Sequence, residues 1–199
     1  MERHKPIIDS ETGIWVNKLN PSSPLHDSIE VHKVDFGLRD ALIYMLENQK
    51  SIVDFGCGNA DYAMALHIKY RNVEAYDGNP HTPEMTGGFA KVLDLSEHFD
   101  LGKKFDCVIS LEVAEHIPAT KTMQYINNLI NHCNDGVLII SWASKGQGGD
   151  GHVNEQNADY VKKLFYNFSY KYNEHASEYL RQSADLWWFK KTLMVFNYE

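Results

Sequence analysis

Three residues that can bind a metal or move a proton stand close together in SLEVAEHIPA, residues 110–119. Glu112, Glu115 and His116 are spaced i, i+3 and i+4, which on a helical turn would bring their side chains to one face. Two carboxylates and an imidazole can converge on a divalent ion, or the histidine can act alone as a general base. In a third interpretation, the two acids only mark a helix N-terminus, where the helix dipole favours negative charge.

The elements that must position these residues follow from the apolar pattern. Short apolar runs alternate with segments of helical periodicity, which predicts an α/β fold with a mostly parallel sheet covered by helices on both faces. The predicted strands are 51–55, 73–77, 90–94, 105–111 and 136–142, and the predicted helices are 35–47, 61–70, 158–165 and one through Met123, Ile126, Leu129, Ile130 and Cys133 that stops near Asp135 and Gly136.

The two ends of the chain differ from this regular middle. Residues 1–34 are polar and contain NPSSP, which predicts an irregular arm or lid before a catalytic domain of residues 35–199. Trp15, His26 and His32 of this arm could cover a pocket. The segments 168–174 and 192–198 alternate in polarity and predict an antiparallel pair at one edge of the sheet. Between them, Trp187, Trp188 and Phe189 suggest core packing or, as the alternative, a substrate platform.

Composition limits the classes of function. The chain has 199 residues, enough for one domain, a formal net charge of −8 and three cysteines without metal-like spacing. It lacks the Lys/Arg cluster that phosphate neutralisation requires, so nucleic acid is not expected as a partner. No apolar run reaches the roughly 18 residues of a membrane helix, and the N-terminus lacks a secretory h-region. These features predict a cytoplasmic protein without a membrane partner.

The segment VDFGCGNADYA, residues 53–63, predicts a ligand-binding turn between a strand and a helix. Gly56 and Gly58 let the backbone approach a ligand closely, and the following helix offers free N–H groups. A lone pair of glycines is weak evidence. However, Asp77 ends the next predicted strand, and an acid about 20 positions further on suits the two hydroxyls of a ribose.

The charges around this turn indicate which nucleotide it binds. The dinucleotide fingerprint GxGxxG would have its third glycine at Asp61, where a carboxylate would face a pyrophosphate. Asp54, just before the first glycine, suits a cationic amine better than a phosphate. S-adenosylmethionine carries an ammonium, a sulfonium and a ribose but no phosphate, and it therefore fits these charges.

On these residues the chain resembles the class I S-adenosylmethionine-dependent methyltransferases, from about residue 35 to the C-terminus. The resemblance rests on VDFGCGNADYA, AYDGN, KVLDL and FDCVISLEVAEHI. It implies a Rossmann-like fold with a seven-stranded sheet, a glycine loop around the methionine part of the cofactor, Asp77 on the ribose and Asp94 on the adenine amine. Ala60 stands where many members have a third glycine. The implied cofactor-binding residues are Asp54, Gly56, Cys57, Gly58, Asp77, Gly78, Asp94, Leu95 and Leu111.

A histidine in a later loop completes a possible set of metal ligands. His152 lies in residues 141–157, after the next strand, and adjacent loops at one sheet edge can meet. Glu112, Glu115, His116 and His152 match in type and order the metal-binding residues of the small-RNA 2'-O-methyltransferases, and the segment is partly similar to the ubiquinone-pathway O-methyltransferases. The resemblance implies Mg²⁺ at these four residues. Two carboxylates suit Mg²⁺ or Mn²⁺, and two imidazoles also suit other transition metals.

These observations together predict an S-adenosylmethionine-dependent methyltransferase. The expected reaction is metal-assisted O-methylation of a small polar hydroxylated acceptor, such as a sugar or related metabolite, with His116 and His152 as catalytic residues. A bound metal would lower the pKa of the acceptor hydroxyl, which is otherwise a poor nucleophile. The alternatives are an RNA or protein methyltransferase and a non-catalytic cofactor-binding subunit. The sequence does not determine the oligomeric state.

Overall fold

The structure is a computed structural model that describes residues 7–16, 32–70 and 72–199. The strands are β1 (Ile7–Ile8), β2 (Trp15–Val16), β3 (Ile52–Phe55), β4 (Val73–Asp77), β5 (Lys91–Val92), β6 (Phe105–Ser110), β7 (Cys133–Ser141), β8 (Tyr170–Tyr172) and β9 (Leu193–Tyr198). The helices are α1 (Phe36–Met45), α2 (Asp61–Tyr70), α3 (Thr82–Met85), α4 (Thr122–Asn131), α5 (Ala158–Tyr166), α6 (Glu174–Ser183) and α7 (Phe189–Thr192), with a 3-10 turn at Ala119–Lys121.

Seven strands form one sheet in the order β5-β4-β3-β6-β7-β9-β8. The first five are parallel, and β9 lies antiparallel between β7 and β8. The predicted fold class, a mostly parallel seven-stranded α/β sheet, is therefore confirmed, as is the antiparallel pair at one edge. After β3 the chain continues to β4 on one side, and after β6 it continues to β7 on the other side. The carboxyl ends of β3 and β6 therefore flank the switch point where open α/β sheets bind ligands.

Helices cover both faces of this sheet because successive strand residues point to opposite sides. On one face, α1, α2 and α6 pack against alternate residues such as Ile52, Ile109 and Ile139. On the other face, α4 and α5 pack against their sequence neighbours, including Val53 and Val108. Strands buried on both sides explain the nearly continuous apolar runs in the sequence.

Some predicted boundaries were wrong. The helix expected to run to Asp135 and Gly136 ends at Asn131, and β7 already begins at Cys133. Gly136 lies so close to the carbonyl of Asp106 that a Cβ would come within 2.0 Å of the oxygen, and this tight packing draws the segment into the sheet. The strand predicted at 90–94 is only Lys91–Val92.

The polar helix α6 was not predicted, because few apolar residues mark its buried side. Its N-terminus is capped by the Asn173 side chain, which accepts from the backbone N–H of Ala176 at 2.9 Å. Leu180 is its main fully buried apolar residue. Helices with so short an apolar stripe are easily missed by periodicity alone.

The part of the N-terminal arm at residues 7–16 is more regular than predicted. Strands β1 and β2 form an antiparallel ladder, with Ile7 opposite Val16 and Ile8 opposite Trp15. The NPSSP segment and His26 lie outside the described residues. Helix α1 begins at Phe36, where Asp35 caps it by accepting from the Leu38 N–H at 2.8 Å. Within the described part of the chain, no helix combines the length and the apolar character needed to span a membrane.

Candidate active site

A cavity of about 470 Å³ lies at the carboxyl ends of the central parallel strands, a size suited to a nucleoside-like ligand. Its cofactor half, as we name it, consists of the loops after β3, β4 and β5, at residues 56–60, 77–79 and 94–96. Its acceptor half consists of the loops after β6 and β7, at residues 111–118 and 142–157. The β1–β2 hairpin contributes to the wall of the cavity through residues 12–15.

The glycine loop turns sharply above the end of β3. Gly56, Gly58 and Ala60 all have left-handed backbone, with φ of 85°, 53° and 61°. A Cβ on Gly56 would lie 2.2 Å from the side chain of Val113 in the acceptor half, so glycine is required both for the turn and for this contact. Ala60, the departure from the family pattern, adopts the same conformation with a side chain, which costs about 1 kcal/mol or more.

Asp77 and Asp94 line the cofactor half, and part of each carboxylate stabilises its own loop. Asp77 accepts from the N–H of Gly58 at 2.8 Å and from the N–H of Asn79 at 2.9 Å. Asp94 Oδ1 accepts from the backbone N–H and the hydroxyl of Ser96. The predicted cofactor-binding residues Asp54, Gly56, Cys57, Gly58, Asp77, Gly78, Asp94, Leu95 and Leu111 all line this one cavity.

Asp54 is the carboxylate of the cofactor half whose surroundings leave it incompletely paired. It is buried at the end of β3, and its Oδ2 accepts no hydrogen bond from the described residues. Loss of water around the carboxylate, with a smaller repulsion from Asp77, raises its pKa from 3.8 to about 7. A cationic ligand would favour the ionised form, as the sequence argument for an ammonium requires.

The loop after β6 is not the helical turn that the spacing of its residues predicts. Glu112 has left-handed backbone with φ of 54°, and its N–H donates to Ser141 Oγ at 2.7 Å. A short turn follows, closed by the bond from the His116 N–H to the Val113 carbonyl. The helical turn predicted from the residue spacing is therefore wrong, since a residue with left-handed backbone such as Glu112 cannot belong to a right-handed helix.

Three of the four predicted metal ligands nevertheless come together. Glu115, His116 and His152 each place a possible ligand atom so that all three atoms lie within 4.8 Å of one another. Glu112 is not part of this trio. Its carboxylate adjoins Glu115, whose pKa it helps to raise, and Glu112 Oε1 lies 3.4 Å from the hydroxyl of Thr192. The structure thus brings three of the predicted residues together through a bend in one loop and its contact with a second loop, without a helix face.

Burial shifts the pKa values of two members of this trio, Glu115 and His116. Glu115 is fully buried, and neither of its carboxylate oxygens makes a hydrogen bond of good geometry with the described residues, although the backbone N–H groups of Glu115 and Ala143 lie near enough to offset part of the rise in its pKa. Desolvation, followed by the charge of Glu112, holds its pKa well above the usual value. The pKa of His116 is lowered to about 4, mainly by burial and also by His152, so its ring is neutral at pH 7. A buried carboxylate beside the neutral His116 ring and the His152 imidazole suits a cation.

His152 is held in place by a glutamate from its own loop. Glu155 Oε1 lies 3.0 Å from His152 Nδ1, and the same carboxylate accepts from the N–H groups of Gly146 and Gly148 at 2.7 Å. This leaves Nε2 of His152 as the nitrogen available to a ligand. Such a carboxylate–histidine pair is the usual support of a metal-binding imidazole.

Other polar residues of this loop serve its structure. Trp142 is buried and donates to the Asn154 carbonyl at 2.6 Å, and the Asn154 side chain donates to Thr122. The carbonyl of Glu115 accepts from the N–H groups of Val153 and Asn154, which ties the two acceptor-half loops together. Trp142 and Asn154 therefore support the loop and do not line the cavity, whereas Gln147 does line it.

The β1–β2 hairpin contacts both halves of the cavity. From the sequence, this part of the chain was predicted only as a possible lid. Trp15 Nε1 lies 3.2 Å from His116 Nδ1, and the two rings meet edge to face at 5.0 Å. Ile14 packs against Gly78 in the cofactor half, where a Cβ would come within 2.6 Å of it. Gly13 packs against the carbonyl of His116. No local pattern signals these contacts, since they join residues that are far apart in the sequence, 101 positions in the case of Trp15 and His116.

The aromatic trio before β9 is divided between core and cavity. Phe189 is 3% exposed, whereas Trp187 is 52% exposed, and all three aromatic residues line the cavity. Core packing was the favoured interpretation, and it holds for Phe189. Trp187 instead offers an open indole face at the cavity edge, with the Lys191 ammonium 5.2 Å from the ring centre.

Comparison with known proteins agrees with this geometry. A family model described as a methyltransferase domain matches residues 31–192. Ubiquinone biosynthesis O-methyltransferase of Rickettsia typhi (strain ATCC VR-144 / Wilmington) is 30% identical over 137 residues, which are 64% of this chain and 54% of that relative. The chain spans about half the length, or less, of the curated relatives it matches.

Solved structures share the fold at low sequence identity. The sugar N-methyltransferase KedS8 from Streptoalloteichus sp. ATCC 53650 superimposes with a TM-score of 0.63 at 14% identity, over 81% of this chain and 85% of that one. Magnesium protoporphyrin IX methyltransferase from Synechocystis PCC 6803, with bound SAH, gives a TM-score of 0.61 at 16% identity, over 90% and 87%. With the family match over most of its length, this chain belongs to the class I S-adenosylmethionine-dependent methyltransferases.

Proposed function

We propose that this protein transfers a methyl group from S-adenosylmethionine to a hydroxyl oxygen of a small polar acceptor, such as a sugar or related metabolite, with the help of a divalent metal. One observation carries the proposal: the unpaired carboxylate of Glu115 and the imidazoles of His116 and His152 line the same cavity as the glycine loop. A cofactor methyl group and an activated hydroxyl could therefore meet there.

The cofactor half would bind the parts of S-adenosylmethionine separately. Asp77 would accept from the ribose hydroxyls while it keeps the loop at Gly58 in place. Asp54 has an unpaired oxygen that would receive the ammonium group, and Asp94 would receive the adenine amine. S-adenosylmethionine held by these residues would present its methyl group to the acceptor half. Such fixed placement supplies much of the rate enhancement by proximity.

The residues of the acceptor half fit a divalent ion. Glu115 is buried without a partner, and Nε2 of His152 is available because Nδ1 lies beside Glu155. Glu115, His116 and His152 would hold the ion, with Glu112 beside Glu115 as the fourth candidate. When bound, Mg²⁺ or Mn²⁺ would lower the pKa of an acceptor hydroxyl and fix its direction. We propose the same two metals for this reason, because carboxylate oxygen suits them.

The protein's own histidines would manage the proton. As the acceptor oxygen bonds to the methyl carbon, the carbon–sulfur bond breaks and the hydroxyl proton must leave. His116 is neutral at pH 7 because its pKa is lowered to about 4, so a ring nitrogen that does not bind the ion can accept a hydrogen bond from the acceptor hydroxyl. His152, oriented by Glu155, is the second candidate. We therefore propose both as catalytic residues.

Three supports favour oxygen and a small acceptor. The relatives are named as O-methyltransferases, the formal net charge of −8 disfavours a polyanion, and the hairpin narrows access to the cavity. We further propose that residues 1–34 act as a lid on the domain of residues 35–199, since Trp15 and Ile14 contact the two halves. A cytoplasmic location is proposed from the reduced, unpaired cysteines.

The test is methyl transfer from S-adenosylmethionine labelled at the methyl group. The protein is incubated with a small-molecule extract and, separately, with total RNA and with protein, each with and without EDTA. We expect label in small hydroxylated compounds, loss of transfer in EDTA and recovery with Mg²⁺ or Mn²⁺. Label in RNA that nuclease removes would favour the RNA alternative. Cofactor binding without transfer to any fraction would favour a non-catalytic subunit.

A further inference from the structure

The charges of the cofactor half leave one part of the cofactor without a partner. S-adenosylmethionine carries a sulfonium, an ammonium and an α-carboxylate. The cavity presents Asp54, Asp61 and Asp77 around the glycine loop, which suit the two cations and the ribose. These same acids repel a carboxylate, so binding S-adenosylmethionine requires a nearby hydrogen-bond donor or cation.

His32 lies where such a donor is needed. Its ring packs directly on the glycine loop, because a Cβ on Gly58 would be 2.8 Å from its Nδ1 and 3.1 Å from its Cε1. The ring also faces Trp15, with centroids 6.1 Å apart, and it lines the cavity. Glycine at position 58 therefore makes room for an imidazole from the arm.

The electrostatics of His32 fit a group that awaits an anion. Burial, the largest effect, lowers its pKa, while the charges of Asp77 and Asp61 raise it. In the neutral form the ring has one N–H to donate, and in the charged form it has two. A carboxylate bound beside it would favour the charged form, because an opposite charge at short range outweighs part of the desolvation.

The other basic residues at the cavity are occupied or peripheral. Among the described lining residues, the other basic side chains are Lys33, His116 and His152. Lys33 is exposed to solvent. His116 and His152 belong to the trio around Glu115 in the acceptor half. None of these three has the contact with Gly58 that His32 makes.

We propose that His32 binds the α-carboxylate of S-adenosylmethionine and makes the protein selective for cofactors that carry this group. The inference rests on the proposed use of that cofactor, and it adds a specificity residue from outside the predicted motifs. The proposal also gives the arm a role in cofactor binding, because His32 belongs to the arm and packs against the glycine loop.

The discriminating probe is decarboxylated S-adenosylmethionine, which keeps every other group. Its net charge is more positive, so an acid-lined cavity without a carboxylate partner would bind it at least as well as S-adenosylmethionine. We expect the wild-type protein to prefer S-adenosylmethionine by roughly tenfold or more, the value of one hydrogen bond to a charged group. Isothermal titration calorimetry of the full chain measures both affinities without any need for turnover.

The matched variants are His32→Ala, His32→Gln and Lys33→Ala. We expect His32→Ala to bind S-adenosylmethionine roughly tenfold more weakly or worse, with little change for the decarboxylated analogue. His32→Gln, which keeps an N–H donor, should retain part of the preference. Lys33→Ala should keep the wild-type preference. Thermal unfolding of each variant without ligand would establish that the fold is retained.

Several outcomes would overturn the assignment. An equal loss for both ligands in His32→Ala would mean that His32 only packs against the loop. Tighter binding of S-adenosylmethionine in that variant would mean that the ring occupies the cofactor's own space. Loss of the preference in Lys33→Ala alone would transfer the role to Lys33. Failure of the wild-type protein to bind either ligand would instead contradict the proposed function, and the two failures are therefore distinguishable.

Discussion

The two halves of the cavity differ in how far the protein itself satisfies their polar groups. In the cofactor half, the carboxylates of Asp77 and Asp94 each accept two hydrogen bonds from the loops of that half. In the acceptor half, both oxygens of the buried Glu115 lack a partner. The cofactor half is therefore largely complete without a ligand, whereas the acceptor half depends on something that binds there. Asp54 is the intermediate case, with one oxygen unpaired.

The largest effect should come from removing the unsatisfied carboxylate of the acceptor half. We expect Glu115→Gln to lower methyl transfer by at least about 100-fold, the upper end of losses for residues that merely support metal ligands. Cofactor affinity should stay within about twofold of the wild type, because the cofactor half is untouched. Steady-state kinetics and calorimetry measure the two effects. Full activity in this variant, or in excess EDTA, would remove the metal from the mechanism.

The control for that experiment is Glu97→Gln, the same kind of substitution at a glutamate that does not line the cavity. Glu97 is exposed and pairs with Lys121 at 2.6 Å. Glu97→Gln should leave both turnover and cofactor affinity unchanged, since exposed ion pairs contribute little. A comparable loss in this variant would show that the effect of Glu115→Gln does not come from the site.

The next largest effect should come from the cofactor half and should appear as a loss of cofactor affinity. Asp77→Ala removes the acceptor of the Gly58 and Asn79 N–H groups and the proposed ribose partner. We expect affinity for S-adenosylmethionine to fall roughly 10- to 100-fold, with a smaller thermal shift on ligand addition. Asp100→Ala, which removes a similar turn bond to Gly102, is the control. Stabilisation by NAD in place of S-adenosylmethionine would contradict the cofactor assignment.

A smaller effect should appear in the pH dependence of stability. The folded-state pKa of Asp54 is raised from 3.8 to about 7, so between these values the folded protein binds more protons than the unfolded chain. The wild type should therefore lose stability relative to Asp54→Asn as pH rises from 4 to 7, by at most about 1.4 kcal/mol per pH unit. Urea unfolding without cofactor measures the difference, which should be constant above pH 7. Parallel stability curves throughout would show an ordinary pKa.

The smallest effect concerns the edge of the cavity. Because Trp187 is 52% exposed, Trp187→Ala should change the free energy of unfolding by no more than about 0.5 kcal/mol. Cofactor affinity should not change. If the indole contacts the acceptor, as its position at the cavity suggests, the KM for the acceptor should rise several-fold with kcat unchanged. An unchanged KM would leave Trp187 as a surface residue without a role in binding.

The same contrast explains what the sequence could and could not predict. The glycine loop follows directly after β3, and Asp77 is the last residue of β4. Strand ends and local motifs were therefore sufficient to locate both. The sequence identified the residues of the acceptor half by type, but the helical turn predicted for them was wrong. Glu112 takes its conformation beside Ser141, 29 residues away, and Trp15 reaches His116 across 101 residues. Periodicity reports local structure and carries no information about such contacts.

The β1–β2 hairpin has a consequence for the order of events during turnover. Ile14 packs on Gly78 of the cofactor half, and Gly13 packs on the His116 carbonyl of the acceptor half. Neighbouring residues of one short hairpin cannot move independently, so an opening that admits one ligand also uncovers the other site. The cofactor and the acceptor would then share one gate, and release of the two products would require the same opening. A rate limited by that opening would fall with solvent viscosity and would not depend on the nucleophilicity of the acceptor.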